Sequence, residues 1–148
     1  MTQTIFVTGA ARGIGAAIAQ AASAKGYRVG VFDLDGAAAA ETAASLPDAM
    51  AFQGSVTESA DIERALDEFG APPDAFVSNA GIVRFGPLLD LSEDDWRSVI
   101  EVNLTGTFLA SRAAARRMIE NGGGSIVNIT SINGVAPGPN SGAYAAAK

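Results

Sequence analysis

Two titratable side chains near the end of the chain, Tyr144 and Lys148, are spaced to work as a pair. Residues four apart in a helix lie on the same face, so the Lys148 ammonium group can stand beside the Tyr144 phenol. A positive charge favours the deprotonated form of a neighbouring phenol, which can then accept a proton from a bound molecule. The pair predicts acid–base chemistry, although a tyrosine and a lysine at this spacing also occur on helix surfaces that only pack.

The composition narrows the chemistry that the rest of the chain can offer. The 148 residues include no Cys and no His, which excludes a thiolate nucleophile, a Ser-His-Asp triad and a thiolate- or imidazole-bound metal, and we predict no metal site. Asp and Glu number 16 against 10 Lys and Arg, giving a net charge of −6. Because the sequence has no block of basic residues to neutralise a row of phosphates, we expect neither nucleic acid nor membrane as a partner, and a small molecule instead.

Hydrophobic residues make up 48% of the chain, enough for the core of a globular protein. The N-terminus lacks a basic segment followed by an apolar stretch and a cleavage site. No apolar run approaches the roughly 18 residues that a membrane-spanning helix needs. These features predict a cytoplasmic protein.

A glycine-rich stretch, Gly9, Gly13 and Gly15, follows a β-rich run and precedes a helical one. Gly9 permits a tight turn, Gly13 lets the backbone approach a pyrophosphate, and Gly15 lets the helix pack closely on the sheet. Asp33 ends the next predicted strand, where a carboxylate can accept hydrogen bonds from both adenosine ribose hydroxyls and repel a 2′-phosphate. The pattern predicts a dinucleotide site that prefers NAD to NADP.

Both charged residues near this stretch have a second interpretation. Asp33 begins the sequence Asp-Leu-Asp-Gly, which is also good turn chemistry. Arg12 can pair with a 2′-phosphate, which would favour NADP, or can be a solvated loop residue.

Periodicity and turn residues predict alternating strands and helices. Strands are expected over residues 4–8, 28–32, 49–53, 74–78 and 125–129. Helices are expected over residues 16–25, 36–45, 57–69, 92–121 and 142–148, the fourth opened by a capping box from Ser92 to Asp95. Right-handed crossovers then give an α/β fold with a doubly wound parallel sheet of the Rossmann type. Ligands of such sheets bind at the carboxyl ends of the strands, where these candidate residues fall.

Several further motifs occur with these residues in a familiar order. They are Thr8-Gly9-Ala10-Ala11-Arg12-Gly13-Ile14-Gly15, Asn79-Ala80-Gly81, Asn103, Ser131, and Tyr144 with Lys148. From Ile5 onward the chain resembles the short-chain dehydrogenase/reductase family of compact NAD(P)-dependent enzymes. The resemblance implies an oxidoreductase that transfers a hydride between NAD(H) and a secondary alcohol or ketone. It also implies a homo-oligomer, with contacts through the helix around residues 112–119 and through the Tyr144 helix.

The resemblance implies a catalytic set of Asn103, Ser131, Tyr144 and Lys148. In alcohol oxidation Tyr144 takes the hydroxyl proton, Ser131 hydrogen-bonds the substrate oxygen, and Lys148 also holds the nicotinamide ribose. Asn103 is expected to perturb its long helix, so that its backbone carbonyl binds a water that supplies Lys148 with protons.

The resemblance also implies which residues contact the cofactor. They are Gly9, Arg12, Gly13, Ile14, Gly15, Asp33, Ser55, Val56, Asn79, Ala80, Gly81, Tyr144 and Lys148. One departure is visible at Ser55-Val56, where members usually carry Asp-Val and the aspartate touches the adenine amino group. A serine can bond there less strongly.

Family members continue beyond the position of Lys148 with two further strands and a segment that closes over substrate. By this resemblance, residues 1–148 form a dinucleotide-binding domain whose sheet stops after the fifth strand, leaving residues 125–129 as an exposed edge. Two hypotheses follow: the N-terminal portion of a working oxidoreductase, or a non-catalytic nucleotide-binding fragment. Within the family, a 3-oxoacyl-carrier-protein-type reductase that uses NADPH is a further alternative.

Overall fold

The computed structural model describes residues 2–148, and their five strands form one parallel sheet in the order β3-β2-β1-β4-β5. The strands are β1 Thr4–Thr8, β2 Arg28–Asp33, β3 Ala49–Gln53, β4 Ala75–Ser78 and β5 Ser125–Asn128. After β3 the chain returns to the other side of β1, so the winding direction reverses between β1 and β4. The predicted doubly wound α/β sheet is confirmed, and the reversal opens a crevice at the carboxyl ends of these two strands.

Residues 2–148 contain six α-helices, of which the first five lie between strands and the sixth follows β5. They are α1 Gly13–Ser23, α2 Gly36–Ala44, α3 Ser59–Phe69, α4 Glu93–Ile100, α5 Gly106–Glu120 and α6 Gly142–Ala147. The single helix expected over residues 92–121 is wrong in one respect, because a π-helical segment, Glu101–Thr105, separates α4 from α5. A 3₁₀ turn, Ile132–Gly134, was not predicted.

The two faces of the sheet bury different kinds of side chain. Alternate residues of β1 point to opposite faces, so Phe6 packs on one side and Ile5 and Val7 on the other. Phe6 lies within 5.5–6.1 Å, centroid to centroid, of four other phenylalanine rings. These are Phe32, Phe52, Phe69 and Phe76. The opposite face packs against the alanines of α1 and α2, which brings these helices close to the sheet.

The start of α4 forms one of the two hydrogen bonds of the predicted capping box. The Ser92 hydroxyl accepts a hydrogen bond from the Asp95 N–H at 3.1 Å. The Asp95 carboxylate, shorter than the Glu or Gln of a full capping box, accepts the Ser92 hydroxyl proton at 2.9 Å and pairs with Arg84 at 3.3 Å. The cap therefore depends on the serine.

Strand β5 forms one edge of the sheet in residues 2–148 and pairs with β4. Its apolar side chains Ile126 and Val127 are 38% and 51% exposed, as expected for an uncovered edge. Among the helices of the same residues, none combines the length and apolar character required to cross a membrane.

Candidate functional site

The loop between β1 and α1 has the backbone shape that its glycines allow. Gly9 and Gly13 adopt positive φ angles of +62° and +58°, which L side chains rarely adopt. A Cβ on Gly15 would lie 2.2 Å from the Gly9 carbonyl oxygen, whereas a Cβ on Gly13 would meet no atom within 4 Å. The loop is thus tightly packed at Gly15 and open at Gly13.

The first turn of α1 presents backbone N–H groups towards this opening. Helix geometry leaves the first four N–H groups without intrahelical partners. Arg12 is the N-cap residue, with extended backbone angles, and within residues 2–148 no side chain accepts a capping hydrogen bond there. These N–H groups and the positive end of the helix dipole suit an anion such as a pyrophosphate.

Asn79 joins the glycine loop to the end of β4. Its Nδ2 donates to the carbonyl oxygens of Thr8 at 3.1 Å and Gly9 at 3.0 Å. The Thr8 hydroxyl oxygen accepts the N–H groups of Asn79 and Ala80 at 3.0 and 3.1 Å. These four bonds hold the two walls of the crevice together.

The end of β2 brings Asp33 to the same crevice. One carboxylate oxygen of Asp33 accepts the Ala11 N–H at 3.0 Å, and the other accepts the Asp35 N–H at 3.1 Å. Asp33 therefore does form the turn hydrogen bonds considered in the sequence, and it also lines the groove. Each carboxylate oxygen has a second lone pair for a ribose hydroxyl.

Arg12 has a partner that the sequence interpretation did not include. Its guanidinium group forms an ion pair with Asp35 at 2.5 Å. The other Asp35 oxygen accepts the Ala38 N–H at 3.1 Å and so caps the N-terminus of α2. The only sequence signal for this pair is that opposite charges follow the neighbouring strands β1 and β2.

Ser55 and Val56 follow β3 at the side of the groove. The Ser55 hydroxyl oxygen lies 2.8 Å from the Thr57 hydroxyl and accepts the Thr57 N–H at 3.2 Å. The Ser55 N–H donates to the Asp61 carboxylate at 2.9 Å. Val56 is buried against Gly106, where a Cβ would lie 2.7 Å from Val56 Cγ2. The first residue of α5 thus contacts this part of the groove.

The hydrogen bond from the Ser55 N–H, with help from Arg64 and against burial, lowers the pKa of Asp61 below its ordinary 3.8. A carboxyl with a lowered folded-state pKa stabilises the fold above its unfolded pKa and loses that effect as pH falls through its folded pKa. We expect Asp61→Asn to reduce the free energy of unfolding by about 1 kcal/mol at pH 7, a figure discounted for solvent exposure. The deficit should shrink below pH 4.

Urea denaturation of both proteins at a series of pH values from 7 downward measures this effect. Glu120→Gln, which neutralises an exposed carboxylate at the end of α5, is the control and should show no such trend. A deficit for Asp61→Asn that is the same at every pH would contradict the proposed charge effect.

Helix α6 carries Tyr144 and ends beside Lys148. Ala143 and Ala147 of this helix are buried against Val99 of α4, which fixes the face that Tyr144 presents. Lys148 Nζ lies 5.9 Å from the Tyr144 ring centroid and donates to the Ile129 carbonyl oxygen at 2.8 Å. Burial lowers the pKa of Lys148. The side-chain pair predicted from spacing is therefore close in space.

Asn103 lies in the π-helical segment and is 2% exposed. Its side chain accepts the Ile82 N–H at 2.8 Å and donates to the Ile82 carbonyl at 2.7 Å. A Cβ on Gly81 would lie 2.8 Å from Asn103 Oδ1 and 3.4 Å from Lys148 Nζ, so Gly81 gives room where both side chains approach. The helix is π-helical around Asn103, and the Asn103 carbonyl oxygen accepts the Thr107 hydroxyl at 2.8 Å.

Ser131 lies after β5, at the N-cap of the 3₁₀ turn. Its hydroxyl oxygen accepts the Asn133 N–H at 3.2 Å. The hydroxyl proton is not used in this bond, so it can donate to another oxygen.

A groove of about 840 Å³ connects most of these residues at the carboxyl edge of the sheet. The predicted site residues that line it are Gly9, Arg12, Ile14, Asp33, Ser55, Val56, Asn79, Ala80, Gly81, Tyr144 and Lys148. Four others, Gly13, Gly15, Asn103 and Ser131, do not line it. Gly15 and Asn103 are buried and act on the lining through their neighbours.

A family model described as short chain dehydrogenase matches residues 3–148, nearly the whole chain. The chain belongs to this family. A (3R)-3-hydroxyacyl-CoA dehydrogenase of Mus musculus is 45% identical over 145 residues, covering 87% of this chain and 56% of the relative. A D-threitol dehydrogenase of Mycolicibacterium smegmatis is 45% identical over 134 residues, covering 85% and 51%. A 3-oxoacyl-[acyl-carrier-protein] reductase of Synechocystis sp. is 39% identical over 155 residues, covering 99% and 62%.

The chain thus spans 51–62% of the length of these three relatives. Among the residues that line the groove, sequence reasoning missed mainly apolar wall positions. These include Phe32, Leu34, Ile82 and Val102. Isolated apolar residues at strand ends resemble core residues in a sequence, and the topology decides which of them face the crevice.

Proposed function

We propose that this chain is the dinucleotide-binding part of an oxidoreductase that transfers a hydride between NAD(H) and a secondary alcohol or ketone. The observation that carries the proposal is the continuity of the groove. It runs from the glycine loop and Asp33 to Tyr144 and Lys148, so one elongated ligand can reach both ends. Its volume lies in the range typical of small-molecule and cofactor sites.

The residues present suit a dinucleotide. The open backbone at Gly13 and the uncapped N-terminus of α1 would hold the pyrophosphate, and Asp33 would accept the adenosine ribose hydroxyls. Ser55 offers a hydroxyl on the adenine side, although that hydroxyl already bonds with Thr57. Bound NAD supplies the hydride acceptor that this chain's side chains lack.

The side chains at the other end supply proton transfer and orientation. The Tyr144 oxygen takes the substrate hydroxyl proton in oxidation and returns it in reduction. Lys148 places a cation near the Tyr144 ring, and its lowered pKa favours proton exchange. Ser131 follows the groove-lining Thr130, and its hydroxyl proton, which is not used in the bond from the Asn133 N–H, would be donated to the substrate oxygen. Asn103 is a positioning residue, because its side chain fixes the Ile82 backbone beside Gly81.

A second candidate is reduction of a 3-oxoacyl thioester with NADPH. The Synechocystis relative named as a 3-oxoacyl-[acyl-carrier-protein] reductase favours it, and so does the basic Arg12 in the glycine loop. Asp33 opposes it, because a fixed carboxylate at the ribose repels a 2′-phosphate. We therefore propose NAD rather than NADP as the preferred cofactor.

We also propose a homo-oligomer. Three large apolar side chains on the helix that runs through the π segment and α5 are at least half exposed, namely Leu104, Phe108 and Ile119. Exposed apolar side chains on one helix are typical of subunit interfaces.

Fluorescence titration with NADH and NADPH, followed by NADH formation assays with a panel of secondary alcohols, tests the function. We expect NADH to bind more tightly than NADPH, and we expect turnover with at least one alcohol. The intact mass of the natively produced protein, compared with the 14.9 kDa of this chain, should accompany the assays. Binding of NADH without turnover, at a mass of 14.9 kDa, would instead support a non-catalytic nucleotide-binding fragment.

A further inference from the structure

Charged side chains are unevenly distributed along the groove. Among its lining residues within the described part of the chain, Lys148 is the cation at the Tyr144 end, and Arg12 is the cation at the Asp33 end. Two carboxylates, Asp33 and Asp35, line the same end of the groove, and Asp35 forms an ion pair with Arg12. The state of Arg12 therefore decides whether a positive charge is available near the adenosine ribose.

The Asp35 carboxylate is fixed independently of Arg12. One oxygen caps α2 through the Ala38 N–H, and the Asp35 backbone N–H donates to Asp33. Arg12, by contrast, extends from the glycine loop, and its side chain is 71% exposed. A fixed carboxylate thus captures a long side chain that would otherwise be free to move.

A guanidinium group is well suited to a phosphate, because its fork of N–H donors matches two phosphate oxygens. From the loop that ends at Gly13, an unpaired Arg12 would be available to a 2′-phosphate beside Asp33. We propose that Asp35 strengthens the preference for NAD(H) by holding Arg12 in an ion pair, which withholds it from the 2′-phosphate of NADP(H). This inference rests on the proposed dinucleotide site and assigns it a second specificity residue that acts through Arg12.

The test compares binding of NADPH and NADH, titrated by fluorescence, in the wild-type chain and in Asp35→Asn. Asparagine keeps the shape and the N-capping ability of aspartate but removes the charge that holds Arg12. We expect the ratio of the NADPH Kd to the NADH Kd to fall by about three- to fivefold, as for the loss of an exposed ion pair. Asp35→Ser, another uncharged N-cap, should lower the ratio as well and guards against a folding defect particular to one variant.

Two further variants separate the role of Arg12 from a general loss of negative charge. In an Arg12→Gln background, Asp35→Asn should change the ratio by less than about twofold. Asp48→Asn removes a carboxylate that pairs with Arg28 before β3, away from the groove, and should leave the ratio unchanged. An equal fall in Asp48→Asn, or a fall that persists without Arg12, would overturn the inference.

The two proposals fail in different ways. If the wild-type chain binds NADH but Asp35→Asn leaves the ratio unchanged, the proposed function stands and the role of Asp35 is wrong. If the wild-type chain binds neither dinucleotide, both are wrong.

Discussion

Replacing Tyr144 with phenylalanine is expected to lower alcohol-dependent NADH formation by about 10²- to 10⁴-fold while NADH binding is retained. The change removes one oxygen atom, the group that exchanges a proton with the substrate. The ring remains, and its centroid stays 6.5 Å from the Phe85 ring centroid and 5.9 Å from Lys148 Nζ. The packing of α6 through Ala143 and Ala147 is also unchanged.

The second tyrosine of the chain provides a matched control. Tyr27 packs against the α1 and α2 side of the core, so Tyr27→Phe removes the same oxygen away from the groove. It should retain wild-type turnover. The assay follows NADH absorbance with the best alcohol from the panel, and binding is measured by fluorescence titration. Retained turnover in Tyr144→Phe would contradict the mechanism.

Replacing Gly15 with alanine is expected to reduce the free energy of unfolding by about 3 kcal/mol and to weaken NADH binding about tenfold. The new Cβ would lie 2.2 Å from the Gly9 oxygen and 2.6 Å from Asn79 Nδ2. Since the first of these atoms belongs to the backbone, relief requires the glycine loop to move away from α1. That movement breaks the bonds between Asn79 and the loop and displaces the proposed pyrophosphate site.

Gly86→Ala is the control for this substitution. A Cβ at Gly86 would meet no atom within 4 Å, and alanine keeps the N–H that donates to Asn140. Urea denaturation should therefore give wild-type stability for Gly86→Ala and a lower midpoint for Gly15→Ala. Equal midpoints for the two variants would show that the close approach of α1 to the glycine loop does not limit the size of residue 15 or affect stability.

The strands could be predicted because their signals are local. The bounds of β1 and β3 agree with expectation, and those of β2, β4 and β5 differ by one residue at one end. Helix α1 begins at Gly13, three residues before the expected start at residue 16. Glycine has a low helix propensity, so Gly13 and Gly15 indicate a loop in the sequence, but they do not prevent the first helical turn. The π-helical form at Glu101–Thr105 has no signature in single residues, and only the family resemblance indicated a perturbation there.

The site was harder to predict where side chains choose among partners. From the sequence, Arg12 is predicted to contact a phosphate or solvent. In the structure it forms an ion pair with Asp35, because the ends of β1 and β2 are neighbours. Ser131 does not line the groove, although Ile129 and Thr130 directly before it do. Such contacts depend on strand order and loop paths, which spacing along the chain does not determine.

The π-helical segment also sets an angular relation between two parts of the molecule. An i→i+5 turn, here from the Gly106 N–H to the Glu101 oxygen, adds about one residue to a continuous helix. One residue corresponds to about 100° of rotation. Without it, the side of α4 that buries Val99 against α6 would turn by that angle relative to the side of α5 that buries Ala110 and Ala114 on the sheet. The extra residue therefore lets α4 pack against α6, which carries Tyr144, while α5 packs against the sheet whose first strand leads into the glycine loop.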